Sequence, residues 1–471
     1  MVMGLGLHGG GLESARFMLK HGAEVTVTDL RDDNTLKPVM DELDAFCGSL
    51  GRKPVHYILG NHEIEDFEKA DIVIKNPAVR PDSVFLKAAK RVETDISIYL
   101  TNAGARLFAV TGSKGKSVTS SALAWILGRN RKRGKCFLGG NITVSPLSFT
   151  DELCEDDDVV LELSSFQLGD LKSKKNTAGR YLLTPNAAIL TAIMEDHLDR
   201  YASMKEYIDD KKVIYKGQDE SCVTVAGDDE WGKSFLHETN GCPLVRSLHP
   251  LGAMQSGGWI EGGVGFARLV DFDEIDSGTK ELVPQKLLIP GEHQKQNLLS
   301  AALAAYSMGI DAAVIREALS SFAGIEHRLE LFHETKKARF YNDSAATIPQ
   351  AAAACIEALC ATGELVLVTG GTDKNLDFSP LAKAAKKAKS VILLAGTGSV
   401  KLMRLLGEED VAFEGPYDNI DTAARRAVEI AANVKRSVCN AALSPGCASF
   451  GMFQNEFDRG RKWKEAVLRN C

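Results

Sequence analysis

The sequence lacks the signatures of several classes of protein. Its ten cysteines form no C-x-x-C pair, so their spacing predicts neither a zinc site nor a disulfide framework, and the usage is typical of a reducing compartment. No apolar run reaches the roughly 18 residues that a transmembrane helix requires. The first residues show no basic segment of the kind that opens a secretory signal. We therefore expect a cytoplasmic protein with no membrane partner.

The chain also lacks an excess of positive charge. It has 56 Lys and Arg against 63 Asp and Glu, a formal net charge of −7. This balance disfavours non-specific binding to nucleic acid or to an anionic membrane, although a local site can still be basic. With 44% hydrophobic and 25% charged residues, the composition is that of an ordinary globular protein. We therefore expect no nucleic-acid partner. The composition does not give the oligomeric state, for which we expect a monomer.

Short apolar segments alternate with longer helical patterns nearly throughout the chain, which predicts an α/β fold with parallel sheets covered on both faces. At roughly 100–200 residues per domain, 471 residues indicate about three domains. We place them at 1–102, 103–325 and 326–471. The stretch 219–284 is rich in Gly, Trp and charge, and we interpret it as antiparallel structure inserted in the middle domain. The predicted strands include 24–28, 107–111, 159–161, 188–190, 265–270 and 365–368.

The segment from Thr111 to Ser117, T-G-S-K-G-K-S, has the context of a phosphate-binding loop. It follows an apolar strand and precedes a predicted helix over 120–127. Glycines let backbone N–H groups approach phosphate oxygens, and the lysine and serine can reach phosphate and Mg²⁺. Val110 occupies the position where the common G-x-x-x-x-G-K-[ST] form has glycine. The loop is therefore a shorter form, and its expected ATP contacts are Gly112, Ser113, Lys114, Gly115, Lys116 and Ser117.

A second glycine pattern lies at the N-terminus, where Gly4, Gly6 and Gly9 satisfy G-x-G-x-x-G and Asp29 follows at the end of a strand. Taken alone, this pattern indicates a dinucleotide site with an acid for the ribose. One open interpretation is therefore a nicotinamide-dependent dehydrogenase fused to a phosphate-loop domain. Another is a nucleotide switch or binding module without catalytic chemistry.

Further motifs follow the phosphate loop in a fixed order. They are G-G-N-I at 139–142, L-E-L-S-S-F-Q-L at 161–168, E-D-H-L-D-R at 195–200, Y-I-D-D-K-K at 207–212, G-E-H at 291–293 with Asn297, H-R at 327–328, Y-N-D-S-A-A-T at 341–347, G-G-T-D-K at 370–374 and L-S-P-G-C-A-S-F at 443–450. The short phosphate loop resembles that of the Mur ligases and the related folylpolyglutamate synthases, and the series extends the resemblance to the Mur ligases along nearly the whole chain. The resemblance implies a Rossmann-like N-terminal domain that binds UDP, a central phosphate-loop ATPase domain and a Rossmann-like C-terminal domain that binds the amino acid.

The resemblance also implies an activity. Mur ligases form amide bonds with ATP through an acyl phosphate, during peptidoglycan precursor synthesis. The pairing of L-E-L-S-S-F-Q-L with S-P-x-C-A-S favours the addition of D-glutamate to UDP-N-acetylmuramoyl-L-alanine. Another amino-acid-adding Mur ligase or a folylpolyglutamate synthase-like ligase remains an alternative.

The resemblance assigns roles to individual residues. It implies catalytic roles for Lys116, His197 and Lys211, and two Mg²⁺ sites, one held by Ser117 and Glu162 and the other by His197 and a carbamylated Lys211. From the residues alone, Lys211 would be an ordinary surface lysine. The implied substrate contacts are Leu7, His8, Asp29, Asn141, Ser164 and Gln167 for the UDP substrate, Asn297, Arg328 and Asp343 for ATP, and Lys374, Ser449 and Phe450 for the amino acid.

Two positions depart from the family pattern. Ala345 occupies the place of a lysine in the usual N-D-S-K-A-T, close to where the amino acid is expected. Gln294 replaces the asparagine of the usual G-x-H-N near the nucleotide. The first change weakens the expected field for a dicarboxylic amino acid, whereas the second exchanges one amide for another.

Overall fold

The computed structural model of the chain describes residues 1–6, 10–102, 104–130, 132–142, 144–196, 200–270, 278–289, 291–373, 376–434 and 438–471. The chain divides into two compact units, 1–285 with 295–319 and 286–294 with 320–471. Strands of the described residues form three sheets in which parallel pairing dominates. The prediction of an α/β protein with parallel sheets is confirmed.

The first sheet is formed by the N-terminal residues and is parallel throughout. Its strand order is β3-β2-β1-β4-β5. The strands are β1 Val2–Met3, β2 Thr26–Asp29, β3 His56–Leu59, β4 Val73–Lys75 and β5 Val92–Glu93. The helices are α1 Gly10–Lys20, α2 Asp33–Ser49, α3 Ile64–Lys69, α4 Val84–Ala88 and α5 Asp95–Asn102. Because parallel strands end at one edge, this order brings the ends of β1, β2 and β4 together.

The second sheet has the order β14-β13-β12-β11-β10-β9-β6-β8-β7. The strands are β6 Arg106–Thr111, β7 Cys136–Gly140, β8 Asp158–Glu162, β9 Ala187–Leu190, β10 Val223–Gly227, β11 Cys242–Ser247, β12 Gly257–Glu261, β13 Val264–Arg268 and β14 Lys280–Val283. The helices are α6 Lys116–Leu127, α7 Ser165–Leu171, α8 Met204–Lys211, α9 Glu230–Glu238, α10 Glu292–Ser307 and α11 Ala312–Ser320. Strands β6, β8 and β9 lie side by side, so their carboxyl ends meet at the phosphate loop.

The expectation of an antiparallel insertion over 219–284 is right for only part of that stretch. Strands β10 and β11 pair in parallel with their neighbours, and β12 is parallel to β11. Antiparallel pairing begins with β12–β13 and continues with β13–β14. Gly262 and Gly263 both have positive φ and connect β12 to β13, as expected of a tight hairpin. The hairpin strands therefore extend the parallel sheet at one edge.

The third sheet lies in the second unit, with the order β15-β16-β20-β17-β18-β19. Its β15–β16 pair is antiparallel and its other pairs are parallel. The strands are β15 Glu330–Glu334, β16 Ala338–Asn342, β17 Glu364–Thr369, β18 Ser390–Leu394, β19 Phe413–Tyr417 and β20 Cys439–Leu443. The helices are α12 Pro349–Cys360, α13 Ser379–Ala385, α14 Thr397–Glu408, α15 Ile420–Ala432 and α16 Glu456–Asn470.

The central strands are apolar because both faces of their sheets are covered. Every residue of β8 is buried, and so is every residue of β20. Continuous burial explains why the interior of β8, from Val159 to Leu161, appears in the sequence as an apolar run and not as an alternating pattern. Among the residues described, none of the helices combines the length and apolar character needed to cross a bilayer.

Candidate active site

The phosphate loop lies between the buried strand β6 and helix α6, and two glycines determine its shape. Gly112 has φ of +147° and Gly115 has φ of +92°, both in the region that favours glycine. A Cβ atom at Gly112 would lie 1.9 Å from Thr191 Oγ1, and one at Gly115 would lie 2.3 Å from Asn297 Oδ1. The loop therefore requires both glycines, and the Asn297 side chain lies directly beside it. Helix α6 begins at Lys116, four residues before the predicted start.

The first half of the loop is bound to the segment that follows β9. The N–H groups of Ser113 and Lys114 donate to the Ala192 carbonyl at 2.8 and 3.3 Å. Ser113 Oγ lies 2.9 Å from the Met194 carbonyl oxygen and 2.8 Å from the Tyr207 hydroxyl. The sequence predicts that these N–H groups face phosphate, but in this structure they donate to a carbonyl group of the protein. Sequence reasoning missed the contacts that the 192–194 segment and Tyr207 make to the loop.

Two lysines converge on one carbonyl of the loop. Lys116 Nζ donates to the carbonyl oxygens of Gly112 at 3.0 Å and Ser113 at 3.1 Å. Lys211 Nζ, on the last turn of α8, donates to the same Gly112 oxygen at 2.9 Å. Lys211 is only 1% exposed. Burial, reinforced by the nearby charge of Lys116, lowers the pKa of Lys211 to about 7. The interpretation of Lys211 as a surface lysine, which the residues alone suggested, is therefore wrong.

A buried carboxylate lies next to the loop. Glu162 ends β8 and is paired in register with Val110 of β6, one residue before Thr111. The Asn141 amide donates to one carboxylate oxygen at 3.0 Å, and Ser120 Oγ lies 3.5 Å from the other. The ion pairs found among the described residues do not include Glu162. A buried carboxylate without a cationic partner is costly, which makes this position suitable for a bound cation.

Two residues assigned to the UDP substrate form a helix cap in this structure. Ser164 precedes α7, and its hydroxyl accepts the Gln167 N–H while the Gln167 side chain accepts the Ser164 N–H. This reciprocal capping box satisfies amide groups that the first helical turn leaves unpaired. Both side chains therefore have a structural role, whether or not they also contact substrate.

The N-terminal glycine turn lies at the carboxyl edge of the first sheet. Gly4 and Gly6 have φ of +90° and +68°. A Cβ atom at Gly11, in α1, would lie 2.3 Å from the Gly4 carbonyl oxygen, so the helix packs unusually closely on the turn. Asp29 is buried and accepts the N–H groups of Gly6 at 3.2 Å and Arg31 at 3.0 Å. The predicted ligands Leu7 and His8 lie outside the described residues, as does His197.

In the second unit, Arg328 is exposed on a strained turn. The flanking His327 and Leu329 have φ of +66° and +46°, unusual for residues other than glycine. Asp343 Oδ1 accepts the Leu329 N–H at 3.0 Å, and Asp343 Oδ2 accepts the Ser444 hydroxyl at 2.6 Å. Burial raises the pKa of Asp343 to about 6. Asp343, for which the family resemblance implies an ATP contact, thus fixes the turn that carries Arg328.

The turn assigned to the amino acid lies near Asp343 in the same unit. Ser449 is buried, whereas the Phe450 side chain is 59% exposed. Lys374, the third predicted contact, lies outside the described residues. Arg459, fully buried on α16, connects two of the motif turns, since it donates to the Ser344 carbonyl at 2.9 Å and the Cys447 carbonyl at 3.1 Å. Sequence reasoning missed Arg459, because no local pattern marks a buried arginine on an otherwise polar helix.

The first unit therefore brings together Gly112–Ser117, Glu162, Asn141, Lys211 and Asn297. The second unit brings together Arg328, Asp343 and the 444–450 turn. Each set combines at least one cationic group, N–H groups and a buried carboxylate at the carboxyl ends of parallel strands, where α/β proteins bind ligands. The first set has the groups needed to hold a nucleotide triphosphate with a divalent cation.

Comparison with known proteins agrees with this arrangement. Residues 110–305 match the model of the Mur ligase middle domain. Residues 327–441 match that of the Mur ligase glutamate ligase domain. The structure of UDP-N-acetylmuramate-alanine ligase MurC from Thermotoga maritima has a TM-score of 0.58 at 20% identity, and the match covers 100% of this chain and 99% of the other. At that identity the likeness concerns the fold alone.

Similarity to curated proteins extends over nearly the whole sequence. The chain is 38% identical to the UDP-N-acetylmuramoylalanine–D-glutamate ligase of Treponema pallidum (strain Nichols), over 99% of this chain and 96% of the relative. It is 36% identical to the protein of the same name from Borreliella afzelii (strain PKo), over 99% and 97%. The chain belongs to the Mur ligase family.

Proposed function

We propose that the chain is an ATP-dependent ligase that joins D-glutamate to the L-alanine carboxyl group of UDP-N-acetylmuramoyl-L-alanine. The observation that carries the proposal is similarity over 99% of the chain to relatives that bear the name of this activity. The glycine-shaped loop, the paired lysines and the buried carboxylate support it, because together they offer the groups that phosphoryl transfer needs.

The proposed reaction has two steps. First, an oxygen of the L-alanine carboxylate attacks the γ-phosphorus of ATP, and the bond from that phosphorus to the β-phosphate oxygen breaks. The products of this step are ADP and an acyl phosphate. Second, the nitrogen of D-glutamate attacks the acyl carbon, inorganic phosphate leaves, and the nitrogen loses a proton. Most of the catalysis then consists of positioning and of stabilising charge on the transferring phosphoryl group.

Lys116 is proposed to supply much of that charge stabilisation. Lys116 is the first residue of α6, and its Nζ donates to the Gly112 and Ser113 carbonyls. Rotation of this side chain is proposed to direct the Nζ toward a phosphate. The twelve-residue helix α6 directs its N-terminal amide groups and its positive dipole end toward the same place. Asn297, beside Gly115, is proposed to contact the nucleotide.

Glu162 and Ser117 are proposed to hold a Mg²⁺ ion. The fit rests on Glu162, a carboxylate 1% exposed whose neighbours in the described residues are an amide and a hydroxyl. Carboxylate and hydroxyl oxygens are ligands that Mg²⁺ prefers. Bound Mg²⁺ supplies positive charge that neutralises the phosphate oxygens. Glu162 and Ser117 keep their positions through β8 and α6.

Lys211 is proposed to be carbamylated by CO₂ and, with His197, to form a second Mg²⁺ site. As an ammonium it shares the Gly112 carbonyl with Lys116, which places two like charges around one acceptor. A pKa of about 7 leaves much of the amine neutral, and the neutral amine is the form that attacks CO₂. The product is a carbamate anion with release of one proton. Carbamylation would convert the repulsion by Lys116 into attraction.

The remaining assignments follow the three sheets. We propose three domains, 1–102, 103–325 and 326–471. The first would bind UDP through Leu7, His8 and Asp29, with Asn141, Ser164 and Gln167 of the second contacting the rest of that substrate. In the third, Arg328 and Asp343 would serve ATP, and Lys374, Ser449 and Phe450 the amino acid. The protein is proposed to act as a cytoplasmic monomer.

Phosphate release tests this proposal directly. The protein is mixed with ATP, Mg²⁺ and UDP-N-acetylmuramoyl-L-alanine, together with each member of a panel of D- and L-amino acids. We expect release that depends on both the UDP substrate and D-glutamate. A clear preference for L-glutamate, or for an uncharged or cationic amino acid, would refute the D-glutamate assignment. Release that needs neither substrate would refute the ligase reaction itself.

A further inference from the structure

A half-buried arginine connects the first two sheets. Arg200 lies between β9 and α8 of the second sheet. Its guanidinium donates to three consecutive backbone carbonyls of the first sheet's loop 77–79, those of Ala78 at 3.2 Å, Pro77 at 3.3 Å and Val79 at 3.4 Å. One side chain therefore holds a whole turn of the neighbouring sheet. The planar fork of arginine suits this contact, whereas the point charge of lysine does not.

Loop 77–79 abuts the glycine turn where the UDP substrate is proposed to bind. Asn76, which precedes the loop, has its Cβ only 3.0 Å from the place a Cβ at Gly4 would occupy. Lys75 donates to the Val79 carbonyl at 2.9 Å and forms a buried ion pair with Asp170 of α7 at 2.8 Å. The loop is thus fixed between the glycine turn on one side and Arg200 on the other.

On its other side, Arg200 belongs to an aromatic cluster that reaches the phosphate loop. The guanidinium carbon lies 3.7 Å from the centre of the Phe166 ring, and Phe166 stacks on Tyr201. Tyr201 packs edge-on against Tyr207, with ring centres 5.4 Å apart. The Tyr207 hydroxyl lies 2.8 Å from Ser113 Oγ in the phosphate loop. Packed side chains therefore run without interruption from loop 77–79 to Ser113.

The same cluster orients the helix that carries Lys211. The Tyr201 hydroxyl donates to Asp210 Oδ2 at 3.1 Å, and Lys172 forms an ion pair with Asp210 Oδ1 at 3.2 Å. Gly169 permits this approach, since a Cβ there would lie 2.5 Å from Asp210 Oδ2. Asp210 directly precedes Lys211, so its anchoring determines how Lys211 meets the Gly112 carbonyl.

From these contacts we infer that Arg200 is a positioning residue that couples occupancy of the UDP-substrate site to the arrangement of the phosphate loop. The inference rests on the proposed function, since it takes the glycine turn as the UDP site. A shift of loop 77–79 on substrate binding would move the guanidinium, and the packed rings would carry that movement to Tyr207 and Ser113. Coupling of this kind is reciprocal, so each ligand should alter the affinity for the other by the same factor.

Titration calorimetry measures this coupling. The Kd of a non-hydrolysable ATP analogue with Mg²⁺ is determined with and without saturating UDP-N-acetylmuramoyl-L-alanine, for the wild type, Arg200→Gln, Arg200→Lys and Arg80→Gln. Arg80 is the matched control, because it lines the same cavity as Arg200 but pairs with the exposed Asp82. In the wild type we expect the UDP substrate to change the Kd by about fivefold or more.

Both Arg200 variants should reduce the coupling factor to near one, while each ligand alone binds within about twofold of its wild-type affinity. Arg80→Gln should retain wild-type coupling. Unchanged coupling in Arg200→Gln, an equal loss in Arg80→Gln, or loss of binding of each ligand alone in both Arg200 variants would overturn the inference. Wild-type binding of both ligands without coupling would overturn it while leaving the proposed function intact. A wild-type protein that binds neither ligand would overturn the proposed function itself.

Discussion

Replacing Lys211 by methionine should make the protein more stable at neutral and acid pH while abolishing turnover. Lys211 is 1% exposed and its pKa is lowered from 10.5 to about 7, chiefly by burial. That lowering corresponds to about 5 kcal/mol of destabilisation of the folded state when the amine is protonated. Methionine fills similar space without a charge, so it removes this cost. It loses the hydrogen bond to the Gly112 carbonyl, worth about 1 kcal/mol, and the contact of the ammonium with the Tyr207 ring, worth about as much.

The pH dependence of the difference identifies its cause. Below pH 7 the lysine is charged in both the folded and the unfolded chain, and the full cost is present. Between pH 7 and 10.5 the unfolded chain holds a proton that the folded chain has released, so the wild type gains stability relative to the variant as pH rises. The expected gain is about 1.4 kcal/mol per pH unit. Groups common to both proteins cancel in the difference.

Urea unfolding of both proteins at pH 6, 7, 8 and 9, in bicarbonate-free buffer, gives the difference directly. The advantage of Lys211→Met should be largest at pH 6 and smaller by about 3 kcal/mol at pH 9. Added bicarbonate at pH 8 should stabilise the wild type alone, and ¹³C-bicarbonate should give it a carbamate resonance that the variant lacks. If the difference in unfolding free energy between the two proteins stays constant across the pH range, the charge of buried Lys211 does not destabilise the folded state.

Three further predictions concern single residues. Lys116→Ala should lower the rate of phosphate release by about a hundredfold or more, because the variant lacks the cation that stabilises the transferring phosphoryl group. Its melting temperature should be unchanged, and a folded variant with a near-normal rate would contradict this role of Lys116. Asp343→Asn should become more stable relative to the wild type as pH rises from 4 to 6, because the folded wild type retains a proton on Asp343 that the unfolded chain releases. A difference between the two urea midpoints that does not change with pH would disprove this. Ala345→Lys should lower the KM for D-glutamate without changing the order of preference in the amino-acid panel. An unchanged or raised KM would contradict the idea that the amino-acid site lacks a cation at position 345.

Strand positions could be predicted from the sequence more accurately than helix starts. The sequence predicts strand β6 at 107–111, and the strand lies at Arg106–Thr111, because an apolar run in a doubly covered sheet ends where glycine begins. The sequence predicts the start of helix α6 at residue 120, but the helix begins at Lys116. The stretch from Lys116 to Ser120 is rich in polar and β-branched residues with weak helix preference, and only the left-handed Gly115 marks where the chain turns into the helix.

The surroundings of individual site residues could not be predicted, since they depend on partners distant in sequence. Lys211 is buried by the phosphate loop, and its acceptor Gly112 lies 99 residues earlier. Arg459 meets Ser344 across 115 residues. No local pattern encodes such pairs. The resemblance to a family assigns roles to such positions, and the structure adds why an ammonium at Lys211 is unfavourable.

The structure also distinguishes a residue that holds a turn in place from a residue that could contact the ligand, a difference that a sequence motif does not show. The two carboxylate oxygens of Asp343 accept hydrogen bonds from the Leu329 N–H group and the Ser444 hydroxyl. Leu329 flanks Arg328 on a turn with two residues at positive φ. Such a turn persists only if its surroundings impose it. If Arg328 contacts ATP as proposed, loss of Asp343 would weaken that contact by displacing Arg328, although Arg328 itself is unchanged. A residue in a functional motif can therefore be essential because it holds the residue that contacts the ligand, and the hydrogen bonds of the folded chain identify which of the two it is.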